Sequence, residues 1–245
     1  MVQTPQRAVP AVKRRGGRGA LGFLRDLLVI VVVAVLASFL IKTFLIRSFF
    51  IPSESMQNTL QVHDRILVNE LVPGLIPLQR GDVVVFEDPG GWLDQPYVAP
   101  PSNGVQAAGE WVLSLFGLST QDANDHLVKR VIGLPGDHVT CCNPLGQMSV
   151  NGVPLKEPYV VKQPGSAAVS AVGFDVRVPK DRLWVMGDNR YNSEDSRFHP
   201  DVPDHGYVPV EDVVGRAFVI SWPITHWTWL SDYPDTFADT SPSSR

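Results

Sequence analysis

Residues Leu27–Ile46, LLVIVVVAVLASFLIKTFLI, make a run of 20 residues with a single charge, Lys42. Wound as a helix the run is about 30 Å long, the thickness of a bilayer core, and Lys42 near its end can reach the headgroups. A buried soluble helix fits poorly, because the run is apolar on every side and follows a basic block. Cleavage as an export signal after Val35–Ala37 (VLA) fits poorly too, since it would cut the run in its middle. The sequence therefore predicts one membrane anchor at 27–46, and the rest of the chain must fold on one side of the bilayer or the other.

Charge decides the side. Residues 1–26 carry six basic side chains and one acid, Asp26, and read as a disordered basic arm. Basic flanks stay in the cytoplasm, which puts the N-terminus inside and everything after Arg47 outside. The whole chain has a net charge of -4, so the part after residue 26 stands at -9. That balance, with no basic motif interleaved with aromatics, excludes nucleic acid as a partner.

The segment 47–230 is long enough for one domain. With 21 prolines, 20 glycines and few helix-periodic stretches, it reads as mainly β. Strands are expected at Asp64–Val72, Gly81–Glu87, the start of His126–Val139, the start of Asp181–Arg197 and Gly215–Pro223. The second is nearly all apolar and so central. Asn151-Gly152 inside QMSVNGVPL predicts a hairpin. Residues 87–125 form a Pro/Gly-rich insertion, read equally as a surface loop with a short helix or as a flap touching the bilayer through Trp111, Leu115 and Phe116. Trp222, Trp227 and Trp229 read as core or as an interfacial belt. Residues 231–245 are expected to be a disordered tail. The adjacent Cys141 and Cys142 are expected as thiols, with a vicinal disulfide as the alternative.

The six histidines show no metal-ligand spacing, and no phosphate loop is present, so neither a metal nor another cofactor is expected. Serine chemistry remains. His126, His138 and His199 leave a Ser-His-Asp triad open. Lys129, inside the apolar LVKRVIG, is a second base: facing inward, desolvation would lower its pKa and leave a neutral amine. Alternation allows only one of Lys129 and Arg130 on that side, and by spacing alone a solvated edge lysine is the simpler reading.

Four segments change that balance. SESM at Ser53–Met56, RGDVVVF at Arg80–Phe86, KRVIGLPGD at Lys129–Asp137 and GDNRYNSEDSR at Gly187–Arg197 resemble, in order, the sequence boxes of bacterial type I signal peptidases, the Ser-Lys leader peptidases. The chain differs in having Asn58 where that family usually has proline. Its paired cysteines and serine-box variation resemble actinobacterial members. The resemblance implies an antiparallel β-sheet catalytic domain with a small β cap, placed at 138–180, behind one N-terminal transmembrane helix. It implies Ser55 as nucleophile, Lys129 as general base and Ser193 as the hydroxyl orienting the amine. The Ser55 N–H and Ser53 hydroxyl would form the oxyanion hole, supported by Asp188, Asp195 and Arg197. Preprotein would add as a strand between Phe49–Pro52 and His126–Val128, Leu127 included. Ile51, Met56, Leu60 and Val128 would line shallow pockets for small side chains at the first and third positions before the cut.

The function so implied is removal of signal peptides from exported preproteins on the outer face of the cytoplasmic membrane, by a monomer whose other partner is the lipid bilayer. An inactive membrane-anchored scaffold is the rival reading, and intact Ser55 and Lys129 argue against it. A self-cleaving Ser-Lys repressor is disfavoured by the membrane run and by the lack of a DNA-binding segment before the catalytic part.

Overall fold

The computed structural model describes residues 20–93, 126–161 and 163–241, and within the first helix the side chains of 22–36 and 38. The basic arm up to residue 19, the insertion from residue 94 with Trp111, Leu115 and Phe116, and residues 242–245 lie outside that description. The chain divides into two units, residues 1–41 and 42–245.

Helix α1 (Ala20–Phe44) has 25 residues, starting before the apolar run and ending short of it. Ala20, Leu21, Leu24 and Arg25 are good helix formers and carry the helix upstream. At the other end Ile46 already belongs to a strand. From Leu27 to Leu36 the described side chains of α1 are apolar and exposed, Leu28, Ile30, Val33 and Val35 each by more than half, while Arg25 and Asp26 before them form an ion pair. Among the described residues no helix is long and apolar enough to cross a membrane.

The second unit is mainly antiparallel β. Its strands are β1 (Ile46–Phe50), β2 (Arg65–Asn69), β3 (Val83–Glu87), β4 (His126–Gly133), β5 (His138–Cys141), β6 (Ser149–Val150), β7 (Val153–Pro154), β8 (Phe174–Arg177), β9 (Arg182–Met186), β10 (Val208–Pro209), β11 (Val213–Trp222) and β12 (Thr228–Trp229). The larger sheet runs β1-β2-β11-β3-β4-β9-β10, with β12 also on β11, and the smaller runs β7-β6-β5-β8. Val83 to Phe86 are all buried because β3 lies between β11 and β4 with both faces packed. Phe49, Ile66, Val68 and Val85 fill one core, and Val84, Phe86, Val131 and Val185 another. Ile132, Val139, Trp184 and Phe237 form a third, with strands of both sheets contributing. Polar contacts reinforce this join: Arg80 donates twice to Asp137, at 2.6 Å each, on the turn from β4 to β5.

The β6–β7 hairpin turns on Asn151 and Gly152, with φ of 52° and 85°, the left-handed pair that favours Asn-Gly. Two other expectations need correction. Cys141 and Cys142 are joined as a vicinal disulfide rather than held as thiols. The tail is ordered through residue 241: Pro234–Phe237 forms a short helix, α2, and Phe237 is buried. One aromatic side chain with a core site to fill outweighs the polar composition around it. Trp222, Trp227 and Trp229 are each more than half exposed, so of their two readings the core one fails.

Candidate active site

Ser55, near the start of the second unit, and Lys129, near its middle, lie 74 positions apart in sequence and meet. Ser55 sits on the turn after β1, in a segment whose Met56 carbonyl accepts the N–H groups of Thr59 and Leu60. Lys129 lies mid-way along β4. Its Nζ is 2.8 Å from Ser55 Oγ, and both residues are buried. Ser53 Oγ lies 3.2 Å from Ser55 Oγ on the solvent side. Burial disfavours the ammonium form and lowers the Lys129 pKa from 10.5 to about 8, against the partial opposition of the Asp195 carboxylate.

The histidines do not compete for this role. His138 pairs with Asp175 on the small sheet, His199 stacks on Trp92, and His126 tilts against Phe49. None of the three is hydrogen-bonded to a serine among the described residues. No group of His, Cys, Asp or Glu there is suited to a metal ion either.

The loop after β9 holds the serine turn in place. The Asn189 N–H donates to the Ser55 carbonyl at 3.0 Å, and the Asn189 side chain donates to the Glu54 carbonyl. Gly187 lies directly beneath: a methyl group there would run into the Ser55 carbonyl and Ser193 Oγ. Asp195 closes the loop by accepting from Gly187 N–H at 3.0 Å and from two nitrogens of Arg197 at 2.8 Å each. Burial alone would raise the Asp195 carboxyl, but these donors hold it below the ordinary range. Arg197 also donates to Ser170 and to the Arg190 carbonyl.

Ser193 departs from expectation. It is buried beside the site, but among the described residues its hydroxyl has no hydrogen-bond partner, Lys129 included. Its place against Gly187 keeps it near the Ser55 turn without orienting the amine. Asp188 does not touch the dyad; both its oxygens are taken by Arg130, with Thr59 Oγ1 on one of them.

Arg130 is the residue that sequence reasoning missed. Alternation suggested one buried and one solvated neighbour, yet Lys129 and Arg130 are both buried, each with its own partners. The available signal was the strand itself: LVKRVIG is apolar on both sides of the pair, so neither face was free for solvent.

The groove residues divide in the same way. Phe49, Ile51, Met56 and Leu60 are core, each at most 3% exposed, with Val128 packed against them and Pro52 exposed. They form a floor rather than an open wall. Leu127 belongs to the other core cluster with Val84, Phe86 and Trp92, and so faces away from Val128. The backbone leaves two strand edges free. Among the described residues β1 pairs only with β2, and the His126–Val128 part of β4 pairs only with β3, since β9 joins from Arg130 onward. The Phe49 and His126 rings, one from each edge, are 5.2 Å apart. A separate cavity of about 560 Å³, lined by Leu45, Asn69, Arg216 and Trp229 among others, includes none of the dyad residues.

The family model described as "Signal peptidase, peptidase S26" matches residues 24–222. A probable signal peptidase I of Mycobacterium leprae is 39% identical over 227 residues, covering 83% of this chain and 78% of that protein. The signal peptidase I of Mycobacterium tuberculosis H37Rv is 42% identical over 223 residues, covering 83% and 74%. A probable signal peptidase I-2 of Synechocystis is 35% identical over 202 residues, covering 82% and 74%.

Proposed function

The chain belongs to the signal peptidase I family, peptidase S26, and on that premise we propose that it cuts signal peptides from exported preproteins with Ser55 as nucleophile and neutral Lys129 as general base. The observation that carries the mechanism is the 2.8 Å approach of the buried Lys129 amine, whose charged form burial disfavours, to a serine hydroxyl. Lys129 Nζ takes the Ser55 proton as Oγ attacks the scissile carbonyl. The resulting oxyanion is met by the Ser55 N–H and the Ser53 hydroxyl. The Lys129 ammonium then gives its proton to the departing amine, which becomes the N-terminus of the mature protein. Water, deprotonated by the same amine, next hydrolyses the acyl-enzyme and frees the signal peptide as a carboxylate.

Substrate would add as an extended strand between the free edges of β1 and β4, which supply main-chain hydrogen bonds irrespective of side chain. The buried floor of Ile51, Met56 and Leu60, with Val128 packed against it, would leave room only for small side chains at the first and third positions before the cut. Asp188, Asp195, Arg197 and Ser193 serve by shaping the loop that supports Ser55.

The apolar run at 27–46 anchors the enzyme, with the basic arm in the cytoplasm and the catalytic unit outside. Protease added to intact spheroplasts is therefore expected to digest the catalytic unit. Protection until lysis would reverse the orientation.

The pH dependence follows from the amine. Only neutral Lys129 accepts a proton, so kcat/KM should rise roughly tenfold per pH unit up to about 8 and then level. A profile flat from pH 6 to 9 would remove Lys129 as base. The assay that tests the whole reading is cleavage of a model preprotein with sequencing of the new N-terminus, alongside Ser55→Ala as the inactive control.

A further inference from the structure

We propose that the C-terminal segment 231–240 is a clasp that positions the catalytic dyad, with Tyr233 as its working residue acting through Arg130. This rests on the Ser55–Lys129 reading and adds to it a part of the chain that lies beyond the family match, which ends at residue 222.

Arg130 is fully buried and fully engaged. It donates to both Asp188 oxygens at 2.8 and 2.7 Å and to the Gly81 carbonyl at 2.6 Å. A further bond, at 3.0 Å, goes to the Ser231 carbonyl of the clasp. Tyr159 and Tyr233 cover the guanidinium, their ring centres 4.2 and 5.2 Å from its carbon. Such contacts hold a desolvated arginine in one orientation.

The backbone of Tyr233 gives the second observation. Its φ is 50° and ψ 61°, the left-handed region, which is unfavourable for a bulky aromatic residue. The surroundings impose it. Upstream, the Asp232 carbonyl approaches Gly81 so closely that no side chain fits there. Downstream, Thr236 donates to the Lys156 carbonyl, Phe237 enters the third core, and Asn151 donates to the Thr240 carbonyl at 2.7 Å. Between these fixed ends the chain adopts a conformation that glycine would prefer, and the result is a ring against Arg130.

Arg130 connects to both members of the dyad. It follows Lys129 directly in β4. Its partner Asp188 precedes Asn189, whose N–H holds the Ser55 carbonyl. Charge connects them as well: the groups acting on Lys129 are Asp195, Arg197, Glu194 and Asp188. Of these, Asp188 is neutralised by Arg130. Loosening Arg130 leaves the Asp188 carboxylate less compensated, which favours the ammonium form of Lys129.

The test uses the full chain in detergent and the variants Tyr233→Gly, Tyr233→Asn and Tyr233→Phe. Glycine and asparagine accept the left-handed backbone, so they remove the ring without adding strain. Both should lower kcat about tenfold with KM within about twofold, because the geometry of attack is disturbed and the substrate edges are not. The rising limb of the pH profile should move to higher pH in both, and Tyr233→Phe should restore rate and limb. A lower melting temperature with unchanged kcat and an unmoved limb would reduce the segment to a structural strap and overturn the proposal. So would a Phe variant as impaired as the Gly variant. The parallel control is Lys129→Met: if that variant still cleaves, the dyad reading itself fails, an outcome separate from either result at Tyr233.

Discussion

Lys129→Met is expected to reduce cleavage to background and, at the same time, to stabilise the catalytic unit. The loss of activity follows from geometry, since no other base lies within hydrogen-bond reach of Ser55 Oγ among the described residues. The gain in stability follows from linkage. The folded pKa of about 8 lies below the ordinary 10.5, so between those values the unfolded chain binds a proton that the folded chain does not. Stability therefore falls as pH drops from 10.5 to about 8, and the full penalty is present below that. The shift corresponds to about 3 kcal/mol, which an uncharged side chain of similar length does not incur. Thermal or urea unfolding of the two proteins at pH 7 and pH 10 checks this. The variant should be the more stable at pH 7, and the difference should shrink at pH 10. A variant less stable than the parent at pH 7 would mean that Lys129 is charged and well paired in the fold, against its assignment as base.

Ser53→Ala should cost about a hundredfold in kcat, roughly 3 kcal/mol, with little change in KM. Ser53 Oγ is close enough to Ser55 Oγ, at 3.2 Å, to reach an oxygen that develops on the attacked carbonyl. It is exposed, so removing it leaves no buried group unpaired and should not unfold the turn. Ser53→Thr keeps a hydroxyl on the same carbon and should recover much of the loss, although its methyl restricts χ1. Single-turnover cleavage of one peptide by the three proteins separates the outcomes. Equal rates for Ser53→Ala and the parent would return Ser53 to the status of an ordinary turn residue.

The features legible in the sequence are those encoded locally. Apolar, β-branched runs announced β2, β3 and β11, Asn151-Gly152 announced a hairpin, and four motifs in order pointed to Ser55 and Lys129. What escaped depends on contacts between distant segments. Arg130 looks like half of an alternating pair until Asp188, Gly81 and Ser231 arrive from three other places. The tail looks polar until Phe237 finds a core built from both sheets. Ser193 illustrates the reverse: the motif predicted a hydrogen bond, and the backbone placed its hydroxyl against Gly187 instead. Motifs specify which residues gather, whereas the side-chain orientations within the gathering are set by packing that no single segment contains.

The edge of β1 that is unpaired among the described residues has a consequence for how the protein behaves when no peptide occupies it. The N–H and C=O groups of alternate β1 residues, those turned away from β2, can template another strand, so an empty enzyme at high concentration carries a nucleus for edge-to-edge aggregation. The strand itself limits the hazard. Arg47, paired with Glu70 and about half exposed, sets a charge within an otherwise largely apolar segment, and a second copy docking antiparallel would bring a second arginine to the same edge. Colloidal stability of the catalytic unit should therefore depend on Arg47 and on ionic strength, since salt that screens the repulsion also lets the edges meet.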